Sequence, residues 1–493
     1  MERGEIRRND QLTRITLRSI RATLSAMNDA TSGARPPLST QPPRPADALL
    51  AAPILPTLIR LTLPNTVAML ATALVAVAET SYIGRLGTAP LAAMALVFPM
   101  IMLTQMMSSG AMGGGVSSAI SRALGSGDAA RAQALALHAT LIGLAAGIGF
   151  TGFFLLLGPA IYRLLGGQGA ALAEAVGYSN MVFCGAVSIW LVNTLASIVR
   201  GTGNMLVPSA TFLTVALLQI TIGGSLGLGL GPFPRLGMPG VAIGQIAAFS
   251  FGLVILFWFL RAGRGRLMLK FSGIALRREM FADILKVGAL ACLSPLQSVL
   301  TVLIFTALVA RFGTQALAGY GIGARLEFLL IPIAFSVGVA CVPMVGMAIG
   351  AGNVVRARQV AWSAGGVSAA ALGVIGAIVA VVPDAWARLF TEDPAVLAAA
   401  REYLRIAGPA FAFFGLGLVL YFASQGAGRV LGPVLTATMR LLLVIGVGWL
   451  LARGGAPLWT LFALVAAAMT TYGLLTAAVI YLTPWGGRER GNV

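Results

Sequence analysis

The sequence predicts an all-α polytopic membrane protein, with twelve transmembrane helices in two six-helix bundles related by a pseudo-two-fold axis along the membrane normal. Three observations predict this fold class. The 493 residues are 58% hydrophobic and only 10% charged, whereas soluble proteins carry about 25% charged residues. Apolar runs long enough to cross a bilayer recur along the chain. The second half of the chain also repeats motifs of the first half.

Twelve apolar runs are long enough to span a bilayer, which takes roughly 20 residues. Glycine and proline are frequent inside them, as is typical of membrane helices that pack on one another. The runs lie at 57–83, 90–117, 131–157, 175–199, 207–230, 239–261, 280–311, 316–346, 358–383, 395–425, 432–452 and 457–482.

The basic residues predict the orientation of the chain in the membrane. The net charge is +18, and arginines crowd the N-terminal tail, the segment 261–278, the C-terminus and the loops after the second and eighth runs. The alternate loops hold fewer basic residues. The positive-inside rule then places both termini in the cytoplasm of a multi-pass bacterial inner-membrane protein. This distribution argues against nucleic acid as a partner.

Three pairs of motifs indicate an internal duplication. "RLGTAPLAA" (85–93) returns as "RFGTQALAG" (311–319), and "ALGSGDAARAQ" (123–133) returns as "AIGAGNVVRAR" (348–358). "VRGTGNMLVP" (199–208) matches "SQGAGRVLGP" (424–433). Because each half holds an even number of helices, both halves enter the bilayer from the same side, as in one class of secondary transporters.

The repeat and the composition together predict five segments. In the N-terminal segment, residues 1–26 are predicted to form an amphipathic helix on anionic lipid, and the alternative is that translation starts at Met27. Residues 31–56 are predicted to form a disordered tether. The segments are a cytoplasmic tail (1–56), an N-terminal six-helix bundle (57–261), a cytoplasmic linker (262–278), a C-terminal six-helix bundle (279–484) and a cytoplasmic tail (485–493).

Several pieces of the chain resemble the MATE (multidrug and toxic compound extrusion) transporters of the MOP flippase superfamily. They include "RALGSGDAARA", "RGTGN", "LGLGLGPFPRLGMPGVAIG" and the long stretch that begins "GYGIGARLEF", and the resemblance spans about 57–450. It implies a cation-coupled antiporter that exports amphipathic, often cationic compounds against H⁺ or Na⁺. The implied partners are the lipid bilayer and small amphipathic organic cations, and a monomer is expected.

Glu79 is a carboxylate inside the first apolar run. An ionised carboxylate in hydrocarbon costs at least about 2.5 kcal/mol, and protonation relieves that cost. Glu79 is therefore a candidate exchangeable cation site facing a cavity between helices. The alternative is that it reaches interfacial water, because Arg85 lies only about 9 Å further along a helix. The resemblance favours the first interpretation, since the matching position of MATE helix 1 carries the acidic cation-site residue.

The resemblance also implies partners for Glu79, although this sequence departs from the family pattern. Gln219 stands where some relatives carry an aspartate, and Gln245 stands where some carry a threonine. With a single carboxylate inside the apolar runs of the N-terminal half, H⁺ is the expected coupling ion. Na⁺ stays the alternative, because two glutamine amides could supply some of its oxygen ligands.

Glu327 is the second carboxylate within an apolar run, with Arg325 two residues before it. Residues two apart do not face each other on a helix, so either the helix is irregular here or each residue has a partner elsewhere. One interpretation is a structural intramembrane ion pair. The other is a substrate site or second cation site in the C-terminal half.

The remaining candidates for substrate contact are polar, aromatic and thioether side chains of other helices. Flexible methionines suit a surface that accepts many shapes, but each residue could equally pack between helices. They are Gln297 and Ser298 on the seventh run, Trp190 and Asn193 on the fourth, Met102 and Met106 on the second, and Tyr421 and Gln425 on the tenth.

Two other classes of function are weaker alternatives. A flippase for a lipid-linked sugar or glycolipid would need a cavity with several arginines, and only Arg325 and Arg440 lie well inside the apolar runs. Arg440 is expected to snorkel to the cytoplasmic headgroups. The sequence offers few catalytic side chains for an enzyme, because His138 is the single histidine and no cluster of acids or cysteines predicts a metal or cofactor. His138 is expected to be hydrated near the cytoplasmic edge.

Overall fold

The structure is a computed structural model that describes residues 49–271 and 273–485, and every one of the twelve predicted runs is helical in it. The helices are α1 (Ile54–Gly84), α2 (Thr88–Gly125), α3 (Ala129–Leu164), α4 (Gly169–Cys184 with Ala186–Gly201), α5 (Leu206–Leu228), α6 (Met238–Arg261), α7 (Arg278–Ala310), α8 (Thr314–Gly350), α9 (Val354–Val381), α10 (Pro394–Gly426), α11 (Leu431–Arg453) and α12 (Leu458–Leu482). The predicted fold class is confirmed.

Two of these helices are irregular in ways that hydropathy did not predict. Helix α2 widens to a π-helical turn over Met106–Met112, a feature that is frequent at functional sites. Helix α4 bends by 46° between its two parts. The bend falls at Gly185, where a β-carbon would lie 2.5 Å from the Cγ1 atom of Ile246 on α6. Glycine at this position therefore allows α6 to approach the bend.

One end of α2 packs closely on α7 and α8, and we call this contact the α2–α7–α8 interface. A β-carbon on Gly125 of α2 would lie 2.8 Å from the Cα of Met347 on α8. A β-carbon on Gly115 of α2 would lie 2.7 Å from the backbone nitrogen of Gly288 on α7. Further along the same faces, Asp283 of α7 accepts hydrogen bonds from Arg122 at 2.7 Å and from Arg131 at 2.9 Å. Backbone contact and ion pairs therefore hold the two halves of the chain together at this end of α2.

The segment between α6 and α7 is folded against the first half. Leu267 and Leu269 are buried in its core. His138 of α3 is fully buried, its Nε2 accepts a hydrogen bond from the backbone nitrogen of Arg277 at 3.0 Å, and its Nδ1 lies 2.7 Å from the carbonyl oxygen of Ala134. The expectation of a hydrated histidine was wrong, because the linker covers this face of α3.

The N-terminal prediction is corrected in its last residues only. The tether was predicted to reach residue 56, but Arg356 of α9 donates hydrogen bonds to the carbonyl oxygens of Leu49 at 2.8 Å and Ala52 at 2.5 Å, and α1 begins at Ile54. Residues 1–48, with the predicted amphipathic helix and the Met27 start, lie outside the described residues. So does most of the predicted C-terminal tail, residues 486–493.

Candidate functional site

Glu79 lies on α1, buried against α5. Its side chain is 5% exposed, and the Nε2 atom of Gln219 on α5 donates a hydrogen bond of 2.8 Å to its Oε1. Tyr82, one turn further along α1, and Tyr178 of α4 are buried as well. Glu79 therefore does not reach interfacial water, and that alternative is wrong. The group has the burial and the polar partner that an exchangeable proton site requires.

Gln245 was expected to complete this site, and it is buried on α6. Within the described residues, its amide makes no hydrogen bond to Glu79 or to Gln219. The structure therefore brings together two of the three predicted residues.

A cavity of about 150 Å³ lies in the C-terminal half, and we call it the C-terminal cavity. Its walls come from α7, α8, α10, α11 and α12, and the π-helical turn of α2 closes it with Met106, Gly110 and Ala111. Both halves of the chain therefore contribute to the wall. A movement of α2 relative to α8 would change the shape of this cavity.

Two groups of opposite charge line the C-terminal cavity. Glu327 of α8 accepts a hydrogen bond from the hydroxyl of Tyr403 on α10. Arg440 of α11 is 7% exposed, and its Nη2 donates a hydrogen bond of 3.0 Å to the Oγ of Ser298 on α7. Its guanidinium also lies 5.0 Å from the ring centroid of Tyr472 on α12. The expectation that Arg440 snorkels to the headgroups was wrong, because these polar and aromatic contacts hold it inside the bundle.

Arg325 does not belong to this site. Its side chain is exposed and its guanidinium lies 5.2 Å from the ring centroid of Phe390, in the segment between α9 and α10. In the described part of the chain it forms no ion pair with Glu327. The interpretation as an Arg325–Glu327 ion pair is therefore wrong, since residues two apart on α8 point to different sides.

The other predicted contacts divide between the cavity and the packed interior. Met106, Ser298 and Tyr421 line the C-terminal cavity, and the hydroxyl of Tyr421 also donates to the carbonyl oxygen of Ala291 at 3.0 Å. The remaining candidates lie in the packed interior or away from the cavity: Gln297 bonds Thr438 at 2.7 Å, the tilted rings of Trp190 and Phe150 lie 5.0 Å apart, Gln425 is fully buried, and Met102 is half-buried away from the cavity wall.

Asn193 is hydrogen-bonded to the neighbouring helix in the packed interior. Its Nδ2 donates to the Oε1 of Gln105 and to the Oγ of Ser108, each at 2.9 Å, which ties α4 to the start of the π-helical turn of α2.

Replacing Asn193 by alanine leaves two acceptors on α2, the half-buried Gln105 and the buried Ser108, without this donor. We expect the free energy of unfolding to fall by about 0.5–2 kcal/mol, as measured by denaturation of the purified protein in mixed micelles. Thr214→Ala is the control, because that exposed hydroxyl bonds only within its own helix. An unchanged unfolding free energy with altered compound binding would contradict the packing role.

Sequence reasoning missed three tyrosines and the role of one arginine. Tyr403 bonds Glu327, the ring of Tyr320 meets that of Tyr403 edge to face, and Arg440 lies over the ring of Tyr472. A weak signal existed for Tyr403, because a β-carbon at Gly323, one turn before Glu327, would collide with its ring.

Comparison with known proteins identifies the family. The MatE family model matches residues 64–223 and 291–450, which is more than half of the chain, and the protein belongs to this family of membrane transporters. The same model matches each half once, in agreement with the internal repeat. The protein is therefore a multi-pass membrane transporter rather than an enzyme.

Several relatives and solved structures are similar along most of the chain. A protein named FAD transporter from Shewanella oneidensis is 26% identical over 400 residues, 80% of this chain and 88% of that protein. The probable multidrug resistance protein NorM of Deinococcus radiodurans is 27% identical over 479 residues, 90% and 98% of the two chains. A MOP superfamily transporter from Pyrococcus furiosus matches with a TM-score of 0.82 at 20% identity, covering 90% of this chain and 100% of that chain. An outward-facing multidrug resistance MATE transporter matches with a TM-score of 0.80 at 21% identity, covering 90% and 97%.

Proposed function

We propose that the protein is a secondary active transporter that exports amphipathic compounds in exchange for H⁺, by alternating access between its two bundles. One observation carries the proposal: a buried carboxyl group with an amide partner lies in one half, while an aromatic cavity lies in the other. The first arrangement suits a small cation, and the second suits an organic molecule.

The surroundings of Glu79 favour H⁺ as the coupling ion. A dehydrated Na⁺ needs several oxygen ligands, and the hydrogen-bonding neighbour of the carboxylate is the amide nitrogen of Gln219. A proton needs only the carboxylate itself. Glu79 would take up H⁺ from the outer side and release it to the cytoplasm, with Gln219 stabilising the ionised form.

The C-terminal cavity is the proposed site of the cargo. Its aromatic walls include Phe305, Phe335 and Phe422, and Phe335 meets Phe422 edge to face at 5.0 Å. Such walls bind planar rings. The relatives named above include a probable multidrug resistance protein and a FAD transporter, which supports an amphipathic aromatic cargo. A lipid-linked pyrophosphate is less well supported, because Arg440 is the one arginine among the described residues of the cavity wall.

The α2–α7–α8 interface is the proposed cytoplasmic gate in its closed state. Arg122 and Arg131 lie at the ends of α2 and α3 that the basic loops assign to the cytoplasm. Opening of this gate would separate Gly115 from Gly288 and would draw α2 away from the cavity. The described state would then correspond to access from the outer side.

Purified protein in proteoliposomes tests this function. With a fluorescent aromatic dye as cargo, we expect an imposed ΔpH to drive accumulation, and a Na⁺ gradient at constant pH to drive none. Liposomes without protein give the background. Accumulation driven by Na⁺ alone would overturn the choice of H⁺, and accumulation under neither gradient would overturn coupled transport.

A further inference from the structure

The C-terminal cavity holds two charged groups that do not pair with each other. We propose that Glu327 and Arg440 form a two-pole subsite for a zwitterionic aromatic compound, with Arg440 binding its carboxylate or phosphate and Glu327 binding its ammonium group. This inference deepens the proposed function, since it rests on the cavity being the cargo site.

Arg440 is incompletely satisfied inside the bundle. Its Nη2 bonds Ser298, a neutral hydroxyl, while its Nε is buried and has no hydrogen-bond partner among the described residues. A guanidinium carries five N–H donors, and a buried cation without an anionic partner is unfavourable. Its free donors and its position on the cavity wall make it a ready receptor for an anionic group.

Glu327 and Arg440 are hydrogen-bonded to different helices. The hydroxyl of Tyr403 on α10 bonds the Oε1 of Glu327. Arg440 on α11 is held by Ser298 on α7. In the described part of the chain the two groups form no ion pair within the 4.0 Å that defines one. If Glu327 and Arg440 formed an ion pair with each other, neither side chain would be free to bind a charged ligand. Because they do not, both side chains can do so.

Charge balance favours a ligand with both charges. When Glu327 is ionised, the pair is neutral as a whole, so a simple cation or anion would then bring an uncompensated charge into a space of low dielectric constant, where charges interact strongly. A zwitterion satisfies both poles and adds no net charge. Phe305, Phe335 and Phe422 lie on other parts of the same wall and can accept its ring.

Three indole compounds that differ only in their charged ends test this proposal. Tryptophan carries both charges, tryptamine carries only the ammonium group, and indole-3-propionate carries only the carboxylate. Equilibrium binding of the tritiated compounds is measured on the purified full-length protein in lipid nanodiscs without any gradient. We expect tryptophan to bind most tightly, and to compete with a planar dye.

Two substitutions should change this preference in opposite directions. R440Q is expected to weaken tryptophan and indole-3-propionate about ten- to hundredfold, the usual loss for a charge-assisted hydrogen bond, while tryptamine is retained or improved. E327Q is expected to weaken tryptophan and tryptamine similarly, while indole-3-propionate is retained or improved. R453Q and E392Q are the controls, because both side chains are exposed away from the cavity, and neither should change the preference.

Several outcomes would overturn the two-pole subsite. They are equal binding of the three compounds, binding of none, or an equal loss for all three in both variants. The last result would mean that the pair only supports the fold, and R440K checks this, since it keeps the charge and should keep part of the preference for tryptophan. Because no gradient is used, loss of the preference leaves H⁺-driven dye export standing, and failure of coupling leaves the binding result interpretable.

Discussion

Replacing Glu79 by glutamine is expected to abolish H⁺-driven accumulation of cargo. One proton exchanged across about two pH units can hold a cargo ratio of about 100, because each unit is worth about 1.4 kcal/mol. Glutamine has a similar shape but cannot take up a proton, so the ratio should fall to about 1. The measurement is accumulation in proteoliposomes under an imposed ΔpH.

Two further variants make this result specific to the carboxyl group. Glu79→Asp should keep partial coupling, since the shorter acid can still be protonated. Glu174→Gln removes a carboxylate from the first turns of α4, outside the hydrogen bond between Glu79 and Gln219, and should leave the ratio unchanged. A Glu79→Gln variant that accumulates cargo normally would remove this residue from the coupling mechanism.

Replacing Gly115 by leucine is expected to open the α2–α7–α8 interface. A β-carbon there would lie 2.7 Å from the nitrogen and 2.8 Å from the Cα of Gly288, and because both are backbone atoms, no side chain can move aside. Overpacking typically costs about 1–3 kcal/mol, which shifts a two-state equilibrium about five- to 150-fold. Transport should fall because the gate no longer closes.

The population of the open gate can be measured with a cysteine at Ser121. This residue is fully buried on α2, so Ser121→Cys, in a background without the three native cysteines, should resist an impermeant maleimide. In the Gly115→Leu background it should react. Gly149→Leu on α3 is the matched control, since a β-carbon there meets nothing within 4 Å. Equal labelling in both backgrounds would show that the interface is not the gate.

Hydropathy and the internal repeat predicted the fold well, because lipid requires each spanning segment to satisfy its own backbone. The number, order and approximate limits of the helices follow from local composition. The π-helical turn at Met106–Met112 and the bend at Gly185 do not, since both depend on how α2 and α4 meet other helices. The order around Leu49 was missed for the same reason: its partner, Arg356, lies about 300 residues away.

The candidate site could be predicted from the sequence only where the chemistry of a side chain restricts the surroundings in which it can lie. A carboxylate in an apolar run has few acceptable surroundings, so Glu79 and Glu327 could be selected from the sequence alone. The fate of a long basic side chain is less constrained. Arg325 turns outward to Phe390, whereas Arg440 turns inward to Ser298 and Tyr472. Only the contacts between distant helices decide between these directions.

The acid at Glu79 and the cavity at Arg440 belong to different halves of the protein. On the proposed mechanism, ion and cargo then never compete for the same atoms, and both can occupy one molecule at once. The coupling must then come from the free energies of the conformations with each ligand bound, because the ion and the cargo do not displace each other from one site. Such a transporter tolerates cargoes of varied shape, and it also permits slippage, so the stoichiometry should vary with the compound carried.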